Sequence, residues 1–160
     1  MRFLWYFFKY LVALVLVLLL GVGAYAGNTA YQQLFNQPWD KLLAIENHRN
    51  NLDTIHMLEQ KYGWQRVSVH SGDGTRLQGT YIENPSGSHD TVIILHGLYQ
   101  NRTMDVPYAR VYLARGYNVL MPDIRGHGES GGETNDWGIH DAEDMDSWVA
   151  LLKQQDPQVS

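Results

Sequence analysis

The chain has 160 residues, enough for one globular domain behind an N-terminal quarter of unusual composition. It contains no cysteine, which excludes disulfides, zinc–thiolate sites and a cysteine nucleophile. Beyond Gly27, ten basic residues against seventeen acidic ones give a net charge of −7. An acidic domain without a basic stripe argues against nucleic acid as a partner.

Residues 1–26 are predicted to be a single-pass membrane anchor. The run from Tyr10 to Ala26 is uncharged and rich in Leu and Val, and it is long enough for one membrane helix. Arg2 and Lys9 precede it, which predicts a cytoplasmic N-terminus and a C-terminal part outside the cytoplasm. The small residues ending at Ala26 also fit a signal peptide, which would give a secreted protein after cleavage there.

Residues 27–63 are predicted to form a helical spacer or docking segment outside the main fold. Pro38 suits the first turn of a helix from Trp39 to about His48. Asp53 is expected to cap a second helix, which Gly63 ends. The predicted apolar face of this second helix consists of Ile55, Leu58 and Tyr62.

Residues 64–160 have the patterns of an α/β domain. Gln65–Asn84 is predicted to be a hairpin that turns at Ser71–Gly74. The unbroken apolar run Thr91–Leu95 predicts a strand buried on both faces, and Asn118–Met121 predicts a second strand. A helix between them makes a strand–helix–strand unit, so the two strands are expected to be parallel neighbours.

Two helices are predicted to flank these strands. Asp105 is expected to cap the first, which ends at Gly116 and places Val106, Ala109 and Leu113 against the sheet. The second follows a glycine-rich loop and has apolar residues at helical spacing. These residues are Ile139, Ala142, Met145, Val149 and Leu152, with Trp148 beside them.

Two unusual loops follow the predicted parallel strands, at the edge where ligands bind in open α/β sheets. The first is His96-Gly97-Leu98, and the second is Asp-Ile-Arg-Gly-His-Gly-Glu-Ser at residues 123–130. Together with Gly-Tyr-Asn-Val-Leu at 116–120, they resemble the α/β-hydrolase superfamily, in its serine-aminopeptidase-like and lipase-like branch. The resemblance implies that residues 64–160 are the N-terminal half of an α/β-hydrolase fold behind a transmembrane helix.

The resemblance also implies a function and a set of site residues. The family hydrolyses ester, amide or peptide bonds of a small-molecule or peptide substrate with a Ser-His-Asp triad, and it implies no metal and no organic cofactor. The backbone N–H of Leu98 would be one donor of the oxyanion hole, with His96 and Gly97 supporting the loop. Asp123 and Arg125 are expected to pair with each other and to fix the glycine loop, which comprises residues 123–132.

Such enzymes place the nucleophile, the acid and the base beyond the residues matched here. We therefore expect residues 64–160 to be a partial domain without activity of its own, in a protein that is an extracytoplasmic serine hydrolase as a whole. Two alternatives remain open: a membrane-tethered binding module without catalysis, and a truncated gene product without function.

Two apparent motifs in the glycine loop are set aside, and so are the possible metal ligands in and after it. Residues 128–132 fit G-x-S-x-G, but no strand runs into Gly128 and no helix is expected directly after Ser130, as a nucleophile elbow requires. Residues 126–131 fit G-x-G-x-x-G, yet no helix is expected to open within the glycines to bind a pyrophosphate. The acidic residues from 129 to 146 lack the pattern of a calcium loop, and His127 and His140 are weak metal candidates.

Overall fold

The computed structural model describes residues 2–34, 51–98, 100–132 and 138–160. They fall into two units, residues 1–37 and residues 38–160. In the first unit, helix α1 runs over Arg2–Leu34 and is long and apolar enough to cross a membrane, a property that signal sequences share. The helix predicted from Trp39 to His48 lies outside the described residues.

In its described residues, the second unit is a four-stranded mixed sheet with helices on both faces. Its strands are β1 (Gln65–His70), β2 (Arg76–Ile82), β3 (Thr91–Ile93) and β4 (Asn118–Pro122). Its α-helices are α2 (Leu52–Tyr62), α3 (Val106–Leu113) and α4 (Asp141–Gln155), and a short 3-10 helix at Arg102–Asp105 leads into α3.

The strand order is β1-β2-β4-β3, with β1 and β2 forming an antiparallel hairpin. Strand β4 pairs with β2 in antiparallel and with β3 in parallel. The hairpin and the parallel pair are therefore confirmed, together with the predicted α/β class. The run at 91–95 was expected to be buried on both faces, but β3 is half-buried because it is the edge strand among those described. Strand β4, which has a neighbour on each side, is the fully buried one.

The core has two layers, one on each face of the sheet. Val119 and Met121 face α2 and α3, whereas Leu120 faces α4, as the alternation of side chains along β4 requires. On the α4 side, Trp148 is 1% exposed and packs over Gly79. A Cβ atom at Gly79 would lie 3.2 Å from the Trp148 ring, so the glycine makes room for the indole.

Helix α2 departs from the prediction in three respects. Its side-chain cap is Asn51, whose Oδ1 accepts from Asp53 N at 2.8 Å, and not Asp53 itself. Ile55 is fully buried and belongs to the core, so α2 is part of the main fold and not of a spacer outside it. Tyr62, expected on the buried face, is exposed and stacks on Trp64. Gly63 ends the helix in the left-handed conformation, as predicted.

Helices α3 and α4 largely follow their patterns. In α3, Val106 and Ala109 are buried, but the Asp105 side chain makes no capping hydrogen bond and is itself buried. In α4, Trp148 and Leu152 face the core. The expected apolar positions Ile139, Ala142 and Val149 are exposed, because the helix begins only at Asp141 and turns Asp144 inward.

The outer side of β3 carries the last residue of the chain. Thr91 N–H donates to the carbonyl oxygen of Ser160 at 3.1 Å, and Ser160 N–H donates to the carbonyl oxygen of His89 at 3.3 Å. Ser160 bonds through its N–H to one residue of the neighbouring segment and through its carbonyl to the residue two positions further along, which is the pattern between parallel strands. Ser160 thus occupies the position of a parallel neighbour of β3.

Candidate active site

The loop after β3 is anchored by His96. Ile124 N–H, on the loop that follows β4, donates to His96 Nε2 at 3.0 Å, so this nitrogen is the acceptor. The proton of the neutral ring is therefore on Nδ1, which lies 2.9 Å from the Gly97 carbonyl oxygen and donates to it. His96 is 4% exposed. One buried imidazole thus joins the loop after β3 to the loop after β4.

The position of the Gly97 carbonyl determines where Leu98 N–H points. That carbonyl accepts from His96 Nδ1 and, at 3.2 Å, from Gln100 N–H. The Gly97 carbonyl and Leu98 N–H belong to one planar trans peptide, in which the two groups point in opposite directions. Leu98 N–H is therefore directed away from both anchors, and no described residue accepts a hydrogen bond from it.

Gly97, which was expected to support the loop, does not have a positive φ, so backbone freedom is not what favours glycine here. Its lack of a side chain matters instead. A Cβ atom at this position would lie 3.1 Å from Gln100 Oε1, tighter than most contacts of real Cβ atoms. The close approach of Gln100 is what favours glycine here.

Asp123 and Arg125 do not form the pair that was predicted. Asp123 is 1% exposed and binds Arg102, which donates to Asp123 through its guanidinium and, at 2.8 Å, through its backbone N–H. Arg125 binds Asp144 with two hydrogen bonds of 2.6 and 3.0 Å, and its Nη1 binds Asp73 at 2.6 Å. Each of the two residues thus fixes the glycine loop through a separate partner.

The Arg125 cluster joins three parts of the chain. Asp73 lies in the turn between β1 and β2, Arg125 in the glycine loop and Asp144 in α4. The hydrogen bond with Arg125 holds the pKa of Asp73 well below its ordinary value, with help from Thr75 N–H. Asp73 is therefore ionised at neutral pH. The acidic start of α4 contributes one carboxylate, that of Asp144, to this cluster.

Arg102 is the important residue that sequence reasoning missed. Its side chain is completely buried, and it donates to Thr80 Oγ1 at 2.9 Å and to Glu129 Oε2 at 2.5 Å. Glu59 of α2 lies 3.5 Å from the same guanidinium and also binds Arg66. In the sequence, Arg102 stands between Asn and Thr in a segment without apolar periodicity, which is the pattern of a surface loop. No local signal marks it as buried.

Asp105 is another buried acid, and it lies close enough to Asp123 to feel its charge. It is 3% exposed, and its Oδ2 atom has no hydrogen-bond partner in the part of the chain that the structure describes. Burial raises its pKa to about 8, and the negative charge of Asp123 contributes. Asp105 is therefore largely protonated at neutral pH.

The glycine loop wraps around the side chains that precede it. Gly128 has φ +52°, and a Cβ atom there would lie 2.3 Å from the Asp123 carboxyl carbon. Ser130 Oγ donates to the Asp123 carbonyl oxygen at 2.6 Å and accepts from Gln78 N–H at 2.9 Å. Both functions of the hydroxyl are used, one to fasten the loop to β2 and the other to fasten it to the residue that follows β4. This geometry leaves Ser130 without the free, base-activated hydroxyl that a nucleophile needs.

The weak metal candidates do not come together in a ligand set. His127 is 4% exposed, its Nδ1 lies 3.0 Å from the Arg125 carbonyl oxygen, and its ring lies 5.3 Å from that of His96. Within the described ranges, no group of three or more His, Asp or Glu side chains is placed to hold a metal ion. Residues 126–132 contain no helix that could bind a phosphate at its N-terminus.

The architecture defines the class of protein. A mixed sheet lies between helices, a hairpin precedes the parallel pair, and two tied loops meet at the carboxyl edge of that pair. In agreement with this, residues 90–159 match the family described as the alpha/beta hydrolase fold. This part of the chain has the N-terminal portion of an α/β-hydrolase fold, as the two loop motifs predicted.

Relatives and solved structures agree with that assignment. The chain is 34% identical over 87 residues to the uncharacterized protein YqkD of Bacillus subtilis, and 37% identical over 98 residues to the uncharacterized protein YfhR of Escherichia coli. These matches span 54% and 58% of this chain, but only 28% and 34% of the relatives. The Pyrococcus furiosus esterase Pf2001 is similar in structure, with a TM-score of 0.57 and 34% identity over 64% of this chain and 42% of the esterase.

Proposed function

We propose that the protein to which this chain belongs is a serine hydrolase that cleaves ester, amide or peptide bonds outside the cytoplasm. The observation that carries the proposal is the Leu98 N–H group, which is held in one direction by the two hydrogen bonds to the Gly97 carbonyl and has no acceptor among the described residues. The likeness to an esterase at 34% identity supports the same reaction class.

In this mechanism a serine attacks the carbonyl carbon of the substrate, and a histidine takes the serine proton. Negative charge then develops on the carbonyl oxygen, where a fixed N–H donor stabilises the transition state by about 3–4 kcal/mol. Leu98 N–H supplies that donor in our proposal. A donor already held by His96 needs no reorganisation during the reaction.

The nucleophile, the acid and the base of the triad lie outside residues 1–160 in this proposal. Ser130 is not a substitute, since its hydroxyl is bonded to Asp123 and Gln78 backbone groups. The position of Ser160 beside β3 agrees with a further parallel strand along this edge. Residues 1–160 by themselves are therefore proposed to have no hydrolase activity.

The extracytoplasmic location rests on α1. This helix is compatible with a membrane anchor or a signal sequence, and the two basic residues Arg2 and Lys9 favour a cytoplasmic N-terminus. With either interpretation, residues 51–160 are expected outside the cytoplasm. An anchor would keep the hydrolase at the membrane, and cleavage near Ala26 would release it.

Labelling with a fluorophosphonate probe tests the proposed reaction class. The probe forms a covalent bond only with an activated serine, and mass spectrometry of the labelled peptide identifies that serine. In the whole protein we expect one labelled serine outside residues 1–160, with the same labelling in Ser130→Ala. A protein that is folded but not labelled would instead support a membrane-tethered binding module, and labelling at Ser130 would refute our assignment of its role.

A further inference from the structure

We propose that Gln100 is a positioning residue that closes the turn after His96 and leaves Leu98 N–H, among the described residues of that turn, as the amide presented to a substrate oxygen. The inference deepens the proposed hydrolase function and rests on it. Sequence reasoning did not single out Gln100, because a polar residue in a loop has no periodicity that would mark it.

Gln100 binds both backbone groups of Gly97. Its side-chain carbonyl oxygen accepts from Gly97 N–H at 2.9 Å, and its own N–H donates to the Gly97 carbonyl oxygen at 3.2 Å. The two bonds form a closed ring between the side chain, the backbone of Gln100 and Gly97. The missing side chain of Gly97 permits this approach, since a Cβ atom would lie 3.1 Å from Gln100 Oε1.

The side-chain bond selects between two neighbouring amides. Gly97 N–H and Leu98 N–H are adjacent on the same turn, and either one is a chemically suitable donor to an oxyanion. Gln100 Oε1 occupies Gly97 N–H, so that amide is not available to a substrate. Leu98 N–H has no such acceptor among the described residues.

The bonds to the Gly97 carbonyl fix the remaining donor. His96 Nδ1 and Gln100 N–H both reach that oxygen, at 2.9 and 3.2 Å. Rotation of the Gly97–Leu98 peptide would break both bonds at once, and Leu98 N–H belongs to this peptide. His96 ties the turn to the loop after β4, whereas Gln100 ties the turn to itself. The two residues therefore have different tasks.

Experiments can distinguish the positioning role of Gln100 from a contribution to the hydrophobic core. Gln100 is half-buried and is not part of either hydrophobic cluster. Its loss should therefore change the turn at Gly97 without changing the sheet. The conservative variant Gln100→Glu keeps an oxygen acceptor at the same distance, whereas Gln100→Met has similar size and flexibility without an acceptor.

The test is amide hydrogen exchange by NMR in the full 160-residue chain, held in detergent micelles. In Gln100→Met we expect Gly97 N–H to exchange about tenfold faster than in the unmodified chain, because its hydrogen bond is lost. Gln100→Glu should restore slow exchange. The amides of β4 serve as the control for the fold and should exchange at the same rate in all three chains.

A Gly97 rate that is unchanged in Gln100→Met, or equally raised in both variants, would overturn the positioning role. In the whole protein, the role further predicts a lower kcat at unchanged KM for Gln100→Met and recovery in Gln100→Glu. If the exchange response is present but the unmodified whole protein hydrolyses no ester, amide or peptide, the proposed function fails and the closed turn remains. The two failures are thus separable.

Discussion

Replacement of Arg102 by methionine is expected to destabilise the second unit severely. The guanidinium is completely buried and contacts Asp123, Glu129 and Thr80. Methionine fills a similar volume without charge, so Asp123 would remain buried without its cation. Removing one partner of a buried ion pair costs about 3–5 kcal/mol.

This cost is large compared with the stability of a domain, which is about 5–15 kcal/mol. For a unit of this size, each kcal/mol lowers Tm by about 4 °C or more. The control is Arg110→Met, because Arg110 is exposed on α3 and its guanidinium has no ion pair among the described residues. Such a surface change is expected to alter the free energy of unfolding by about 0.5 kcal/mol or less.

The assay is urea unfolding of the chain in micelles, followed by tryptophan fluorescence, to which the buried Trp148 contributes. We expect a markedly lower unfolding midpoint for Arg102→Met and an unchanged one for Arg110→Met. The difference should shrink in acid, where the orphaned Asp123 carboxyl takes up a proton. A loss below about 1 kcal/mol at pH 7, similar to that of Arg110→Met, would refute the view that Arg102 neutralises a buried carboxylate.

Three further predictions concern the glycine loop, the buried acid and the membrane helix. Gly128→Ala should destabilise the unit far more than Gly87→Ala, since both glycines have positive φ but only a Cβ atom at 128 would collide with Asp123. Asp105→Asn should raise Tm at pH 8, because a folded-state pKa of about 8, above the ordinary 3.8, makes stability fall as pH rises from about 4 to 8. Alkaline phosphatase fused after residue 160 should be active in cells, while a cytoplasmic reporter fused there should not.

Each of these has an outcome that would contradict it. Equal midpoints for the two glycine variants would mean that the loop does not press on the Asp123 carboxylate. A Tm that depends on pH in the same way in Asp105→Asn and in the unmodified chain would show that Asp105 is ionised in the fold; Asp146→Asn, at an exposed position, is the control. Activity of the cytoplasmic reporter alone would reverse the proposed orientation.

Local sequence patterns were sufficient to predict the strands and most of the described helices. The alternation in the hairpin and the apolar runs of β3 and β4 depend on neighbours in sequence, and their pairing follows from short connections. The burial of β3 was overestimated, because a run of apolar residues does not tell an edge strand from a central one. The interpretation of α2 as a spacer failed because the partners of Ile55 lie far along the chain in β2 and β4.

The loops of the candidate site were located from the sequence, but their contacts were not. His96 and Gly97 were recognised by resemblance, whereas the tie between His96 and Ile124 spans 28 residues. Asp123 and Arg125 were paired on the basis of their proximity in sequence. In the fold, Asp123 meets Arg102 and Arg125 meets α4, because the glycine loop turns the two side chains to different elements.

The most direct test of the account compares two substitutions at Leu98 in the whole protein. Leu98→Ala removes the side chain and keeps the backbone N–H, whereas Leu98→Pro removes the N–H itself. If this amide is an oxyanion donor, kcat for an ester substrate should fall about 10²–10³-fold in Leu98→Pro and remain near the unmodified value in Leu98→Ala. Circular dichroism should show that both variants are folded. Equal kcat values in two folded variants would contradict the assignment of Leu98 N–H to the oxyanion hole.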